Sequence, residues 1–416
     1  MRLRFRPVTH LLCSSLLLIA SGCSIFRPQP VVIHPAKSLP ATTPWDLVAL
    51  SKPPHFEWAD QTGPVWSLYY SGLPYQGRPT RVFAYYASPD TLGVQMPDCE
   101  GFPGVVLIHG GGGTAFKEWA ELWAKRGYAA IAIDLAGCGP DGKRLDDGGP
   151  GQGDDVKFGQ IDQPPSEQWT YHAVADVILA HSLLLSFEDV DAGRTAVTGI
   201  SWGGYLTCIV AGLDDRFKAA VPVYGCGFLQ DNSVWLPRFA QMTPEQRARW
   251  TRLWDPSMYV GSAAMPVLFI NGTNDFAYPL DSYAKTYSLV KDRNLCITVN
   301  MPHGHREGWA PTEIGLFIDQ YLQEGKPLPR IQRPAIDDGQ TTARVQAKTK
   351  LVSASLIYTT QTGPINKRQW QTVPAEVQGR RITAKAPPQE ATIWFLTVTD
   401  SRNAVISSEL VFAAQP

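Results

Sequence analysis

The strongest constraint on the fold is a rhythm of short, wholly apolar runs separated by helical patterns. Val105, Val106, Leu107 and Ile108 follow one another with no polar residue on either parity. A strand built from them must be buried on both faces. Residues 129–133 repeat the pattern, and residues 197–199, 219–223, 267–270 and 297–299 continue it. Between these runs, residues 117–126, 171–185, 205–213 and 314–322 read as helices. Strands alternating with helices predict an α/β unit over residues 61–328, a mostly parallel sheet with helices on both faces. The chain can fill such a core, since 44% of its residues are hydrophobic and only 18% are charged. Its net charge of -1 gives no footing for nucleic acid as a partner.

The flanks read differently. Residues 65–70 and 81–87 look like two strands joined by a turn holding Gly72, Pro74 and Gly77. Ahead of them, Arg2, Arg4 and Arg6 precede an apolar stretch at 11–20 that is too short to span a bilayer. Ala20-Ser21-Gly22-Cys23 then resembles a bacterial lipobox. Residues 1–22 are therefore expected to be a signal peptide, and Cys23 a lipidated N-terminus that ties the protein to a membrane. Ser24 favours the outer membrane, facing the periplasm or the cell surface. Residues 23–60, rich in Pro and polar groups, read as a tether. After Pro329 the apolar runs at 351–358, 381–384, 393–398 and 407–412 are short and divided by turns. They predict a small all-β, sandwich-like C-terminal module at 335–416, which is expected to pack on the first domain rather than bind a polymer.

Two segments interrupt the α/β rhythm. Residues 136–165 are dense in Gly, Asp and Pro, and residues 227–262 carry Trp235, Trp250 and Trp254. Both follow the C-terminal ends of strands, where open α/β sheets place ligands, so both are candidate walls of a site. Cys99, Cys138, Cys208, Cys226 and Cys296 are odd in number and irregular in spacing. They select no disulfide and form no metal-binding cluster, and no metal or cofactor is expected.

The chemistry centres on Gly199-Ile200-Ser201-Trp202-Gly203. This G-x-S-x-G lies between a strand and a helix, which is the setting of a nucleophile elbow. The sharp turn lifts the serine hydroxyl above the sheet, and Gly199 and Gly203 let strand and helix approach. His109-Gly110-Gly111-Gly112-Gly113 follows the first buried strand and matches the HGGG-type loop of esterases and lipases. An N–H of Gly111 or Gly112, together with that of Trp202, is expected to face an oxyanion. The run lacks the Gly-Lys-Ser/Thr ending of a phosphate loop, and His109 is expected to be structural.

A serine hydroxyl needs a base oriented by an acid. With the partners in the order Ser, acid, His, the candidate bases are His303 and His305, and His303, followed by Gly304, is preferred. The loop after residues 267–270 offers Asp275 as the acid. Asp255 and Asp281 compete, but the first is expected to open a helical turn and the second to cap a helix or face solvent.

Together these motifs resemble the α/β-hydrolase superfamily. Within it the chain is similar to bacterial esterases of the acetyl-xylan-esterase and dienelactone-hydrolase type, and to the catalytic domain of prolyl oligopeptidases. The resemblance implies Ser201 as nucleophile, Asp275 as acid and His303 as base, in an acyl-enzyme mechanism without a cofactor. It leaves the substrate open. Trp202 stands where prolyl oligopeptidases carry Tyr and many acetyl-xylan esterases carry Gln. Trp202, Tyr205 and Phe276 are expected to line the substrate pocket, and a bulky wall there favours a short acyl group. The leading expectation is a carboxylic ester hydrolase acting on a small or carbohydrate ester. A prolyl-oligopeptidase-like peptidase and a non-enzymatic glycan-binding lipoprotein are the alternatives.

Overall fold

The computed structural model describes residues 30–94 and 101–413. Its core is a mixed, mostly parallel sheet of nine strands. These are β1 (Phe56–Asp60), β2 (Trp66–Ser71), β3 (Arg81–Ala87), β4 (Phe102–Ile108), β5 (Ala129–Ile133), β6 (Val190–Ile200), β7 (Ala219–Val223), β8 (Val267–Gly272) and β9 (Arg293–Thr298). Their spatial order is β1-β2-β3-β5-β4-β6-β7-β8-β9, antiparallel as far as the β3–β5 pair and parallel from β5 onward. Every residue of β4, β5, β7 and β8 is buried. This is why those segments carry no polar alternation.

The helices are α1 (Leu47–Leu50), α2 (Lys117–Lys125), α3 (Asp154–Gly159), α4 (Trp169–Leu184), α5 (Trp202–Leu213), α6 (Leu236–Ala240), α7 (Pro244–Trp254), α8 (Leu280–Ser288), α9 (His305–Trp309) and α10 (Thr312–Leu322). α4 packs on α5, and α5 on β6 and β7. α2 packs on β3 and β5 and is tied to α10 through Arg126 and Asp319. This is the α/β-hydrolase architecture, with the sheet between helical layers. No helix of the described residues is long and apolar enough to cross a membrane.

Several expectations change. The tether does not extend to residue 60. Ile33, Trp45 and Leu50 are buried on the domain, the Trp45 indole N–H donates to the Tyr171 carbonyl, and β1 pairs with β2. A Pro-rich composition hid these few apolar anchors. Cys23, residues 1–22 and Cys99 lie outside the described residues. Cys138, Cys208, Cys226 and Cys296 are buried and unpaired. The segment 136–165 contains α3, which is too short to show a helical period.

The C-terminal strands are β10 (Arg330–Ile331), β11 (Ala335–Asp337), β12 (Gln340–Gln346), β13 (Leu351–Thr359), β14 (Gln371–Gln378), β15 (Arg381–Lys385), β16 (Ile393–Asp400), β17 (Val405–Ser407) and β18 (Val411–Phe412). β12 and β14 alternate inward and outward residues regularly, but the inward ones, Thr341, Ala343 and Val345 and then Val373, Ala375 and Val377, are too small to stand out in the sequence. β14 pairs first with β13 and then with β15, turning a corner between two antiparallel layers. β17 meets β9 at Ser407 and Leu295, so the module extends the edge of the hydrolase sheet. The module also reaches the loop after β8, where the Asn274 amide donates to the carbonyls of Asn366 (3.2 Å) and Arg368 (2.8 Å).

Candidate active site

The end of β6 and the start of α5 leave one residue for the turn, Ser201. Its φ of 58° and ψ of -116° lie outside the regions a side-chain-bearing residue prefers. Such a conformation costs on the order of 1–3 kcal/mol and persists only where its surroundings impose it. They do so here. The Ser201 N–H donates to the Val223 carbonyl, and the Ser201 carbonyl accepts from Tyr205, both at 2.9 Å. A methyl group on Gly203 would overlap the Ile108 carbonyl oxygen, and one on Gly199 the Gly203 carbonyl oxygen. The two motif glycines are therefore steric requirements of the strand–helix crossing.

Ser201, His303 and Asp275 come from three separate loops and meet above the sheet. The His303 Nε2 lies 2.9 Å from the Ser201 Oγ, and its Nδ1 lies 2.6 Å from the Asp275 Oδ2. The other carboxylate oxygen of Asp275 accepts the N–H groups of Ala277 (2.9 Å) and Tyr278 (2.7 Å). Asp275 thus has one oxygen fixed by backbone and one left for the imidazole. An Nδ1–H facing it leaves Nε2 as an acceptor for the serine proton. Tyr224, itself at a φ of 64°, stacks on the His303 ring at 4.3 Å and donates its hydroxyl to the Pro302 carbonyl at 2.6 Å.

The competing residues are occupied elsewhere. His305 begins α9 and accepts the Gly110 N–H at 3.0 Å. Burial lowers its pKa, which suits a neutral acceptor. Asp255 accepts the N–H groups of Phe228 (2.9 Å), Leu229 (3.1 Å) and Ser257 (2.9 Å). Asp281 accepts from the Asn232 amide. His109 is buried with its Nδ1 2.7 Å from the Gly110 carbonyl, while its Nε2 accepts the Leu135 N–H at 2.9 Å. Burial pushes its pKa down to about 3, so it is a neutral brace for the loop.

That loop lies against the elbow, since a methyl on Gly110 would sit 3.0 Å from the Ser201 Cβ. The Gly110 N–H is taken by His305, and that of Gly113 by the Gly110 carbonyl. The N–H groups of Gly111 and Gly112 have no acceptor among the described residues. Trp202 opens α5, where a helix leaves its first N–H groups without internal partners. Donors for an oxyanion are thus available on both sides of Ser201.

Of the expected pocket residues, Phe276 is 55% exposed, with its ring 4.9 Å from that of His303 at the mouth of the site. Trp202 packs against Trp235, the two rings 4.5 Å apart, and Trp235 continues to Tyr278 at 5.1 Å. Tyr205 departs from expectation. It is fully buried behind Trp202, and its hydroxyl donates to the Trp254 carbonyl. It sits one helical turn after Ser201 in α5, a helix buried along its whole length. Sequence reasoning missed Tyr224, Tyr278 and Lys157. The Tyr278 hydroxyl is buried beside the Ser201 side chain, and burial holds its pKa well above the usual value. None of the three lies in a motif; only tertiary packing brings them to the serine.

Comparison with known proteins agrees with this architecture. A model of the alpha/beta hydrolase family matches residues 105–349. An uncharacterized peptidase, YuxL, of Bacillus subtilis is 26% identical over 215 residues, 47% of this chain and 29% of that protein. The acylamino-acid-releasing enzyme of Homo sapiens is 24% identical over 272 residues, 60% of this chain and 32% of that enzyme. The chain thus spans about a third of the length of these curated relatives. Among solved structures, an acetyl xylan esterase from Paenibacillus sp. R4 superposes with a TM-score of 0.54 at 24% identity, covering 66% of this chain and 92% of that one. Acetyl xylan esterase 1 from Thermoanaerobacterium gives 0.52 at 18%, covering 65% and 89%.

Proposed function

Because the chain belongs to the alpha/beta hydrolase family, we propose that it is a serine-dependent carboxylic ester hydrolase for short acyl groups. The observation that carries this reading is the continuous chain from Ser201 through His303 to Asp275, seated on a strained elbow. In this mechanism His303 takes the Ser201 proton as the oxygen attacks the acyl carbon. Asp275 holds the imidazole in the required tautomer and stabilises its charged form. The N–H of Trp202 and one from the Gly111–Gly112 turn receive the oxyanion. His303 then gives its proton to the departing alcohol, and water attacks the acyl-enzyme along the same path. The close packing of Trp202, Trp235 and Tyr278 supports a small acyl group.

The test is turnover of short p-nitrophenyl esters by wild type and Ser201→Ala. Wild type should show a burst followed by steady hydrolysis, and the variant should show neither. A folded wild type that is inert to every short ester, and is not labelled by a fluorophosphonate, overturns the reading. Hydrolysis of aminoacyl-p-nitroanilides with little action on esters would instead select a peptidase, the activity in the name of the Bacillus subtilis relative.

A further inference from the structure

Beside the proposed oxyanion loop, several hydrogen-bond donors lie close together with no acceptor among the described residues at hydrogen-bond distance. Lys157 on α3 is 5% exposed, and its ammonium, with neither a hydrogen bond nor an ion pair among the described residues, is not closed off from solvent. It lies 4.3 Å from the centre of the Trp202 ring and 5.0 Å from that of Trp169. The Trp202 indole N–H, on a residue 4% exposed, is likewise without an acceptor. Both groups lie around Gly111, whose side-chain face is closed by the Trp202 indole. A methyl there would lie 2.8 Å from the Trp202 Cδ1, 3.5 Å from its Nε1 and 3.9 Å from the Lys157 Nζ. Whichever of the two unengaged N–H groups of Gly111 and Gly112 does not face the oxyanion completes the set.

This arrangement is costly for a structural lysine. Most of the side chain has left water without gaining a counter-ion, and two cation–π contacts offset only part of that loss. Burial lowers its pKa to about 8, with Asp154 on the same helix opposing the shift, so most of it stays charged at neutral pH. What the cluster lacks is an acceptor with negative charge.

We propose that Lys157, the Trp202 indole N–H and the Gly111 turn form a carboxylate-binding subsite, and that the enzyme acts on esters whose short acyl part carries a carboxylate. The proposal rests on Ser201 being the nucleophile and names the substrate class of that site. The carboxylate belongs to the acyl part for a geometric reason. The leaving oxygen must face His303 to receive its proton, and His303 is surrounded by Tyr224, Tyr278 and Phe276 rather than by Lys157. Half-esters of short dicarboxylic acids have the matching chemistry.

The experiment compares monoethyl succinate with ethyl butyrate, equal in acyl length, by alcohol release. Wild type should favour the half-ester at least tenfold in kcat/KM. In Lys157→Met, which keeps the apolar stem between the indoles, that ratio should fall to near one, mainly through KM for the half-ester. Lys157→Arg should retain part of it. Tryptophan fluorescence titrated with free succinate reads the subsite without catalysis. Saturable quenching in wild type, absent with butyrate and absent in Lys157→Met, is expected. Equal kcat/KM for the two esters, or equal fluorescence responses to succinate and butyrate, overturns the subsite. If succinate binds as stated but no ester is hydrolysed, the subsite stands and the esterase reading fails. A Lys157→Met chain that does not fold leaves the wild-type ratio and titration to decide.

Discussion

Replacing Asp275 by Asn tests the whole catalytic arrangement with a nearly isosteric change. The outcome depends on which way the new amide faces. Two backbone N–H groups, of Ala277 and Tyr278, point at one oxygen of Asp275 at 2.9 and 2.7 Å. An amide NH2 placed there would leave two buried donors without an acceptor, at about 1–3 kcal/mol each. The Asn oxygen must therefore take that position and the NH2 must face His303. The Nδ1 of His303 then becomes an acceptor, its proton moves to Nε2, and Nε2 can no longer accept the Ser201 proton across the 2.9 Å contact. Loss of the correct tautomer in a triad lowers kcat by about 10⁴, or about 5.5 kcal/mol of transition-state stabilisation. The fold should survive, because both backbone bonds persist and an Asn–His hydrogen bond replaces the charged one, at a cost below about 2 kcal/mol. The assay is steady-state and burst-phase hydrolysis of p-nitrophenyl acetate, with urea denaturation of the same preparation. A variant within tenfold of wild type in kcat would refute this account of Asp275. So would a variant that loses activity only because it is unfolded.

Two further outcomes follow from the neighbours of the triad. His305→Gln can still accept from Gly110, so its kcat should fall by about tenfold or less, against about 10⁴ or more for His303→Ala; equal losses would make His305 a second essential group, read from the same ester assay. His109 should act on stability through pH. Its folded pKa of about 3 lies below its ordinary value of 6.5, so between these values the unfolded chain binds a proton that the native one does not. Its contribution is fully present above pH 6.5 and is lost as the pH falls toward 3. Between pH 7 and 5 the stability difference between wild type and His109→Gln should shrink by about 2 kcal/mol. Urea midpoints at the two pH values measure this, and a difference independent of pH would mean that His109 is not held neutral.

The fold was legible where burial left no choice. The runs that became β4, β5, β7 and β8 are apolar throughout because both faces of the sheet are covered. Ser201 and its flanking glycines were legible because a strand–helix turn this tight excludes a Cβ on either side. Asp275 and His303 could be named as candidates by their order after that turn. Segments held by a few contacts were not legible. Trp45 and Ile33 anchor a stretch whose composition reads as a tether, and α3 is hidden among glycines and aspartates.

Sequence by itself therefore determined the architecture, the elbow and a short roster of partners, because those depend on local spacing and on which segments must leave water. Tertiary structure alone decided the rest. It gave the Nε2 contact with Ser201 to His303 and the Gly110 N–H to His305, although the two residues are separated only by Gly304. It moved Tyr205 into the core, set Asn274, beside Asp275, against the C-terminal module, and brought Lys157 over Trp202. Where a side chain points, and what it finds there, depends on elements distant in the chain, and no local pattern encodes that meeting.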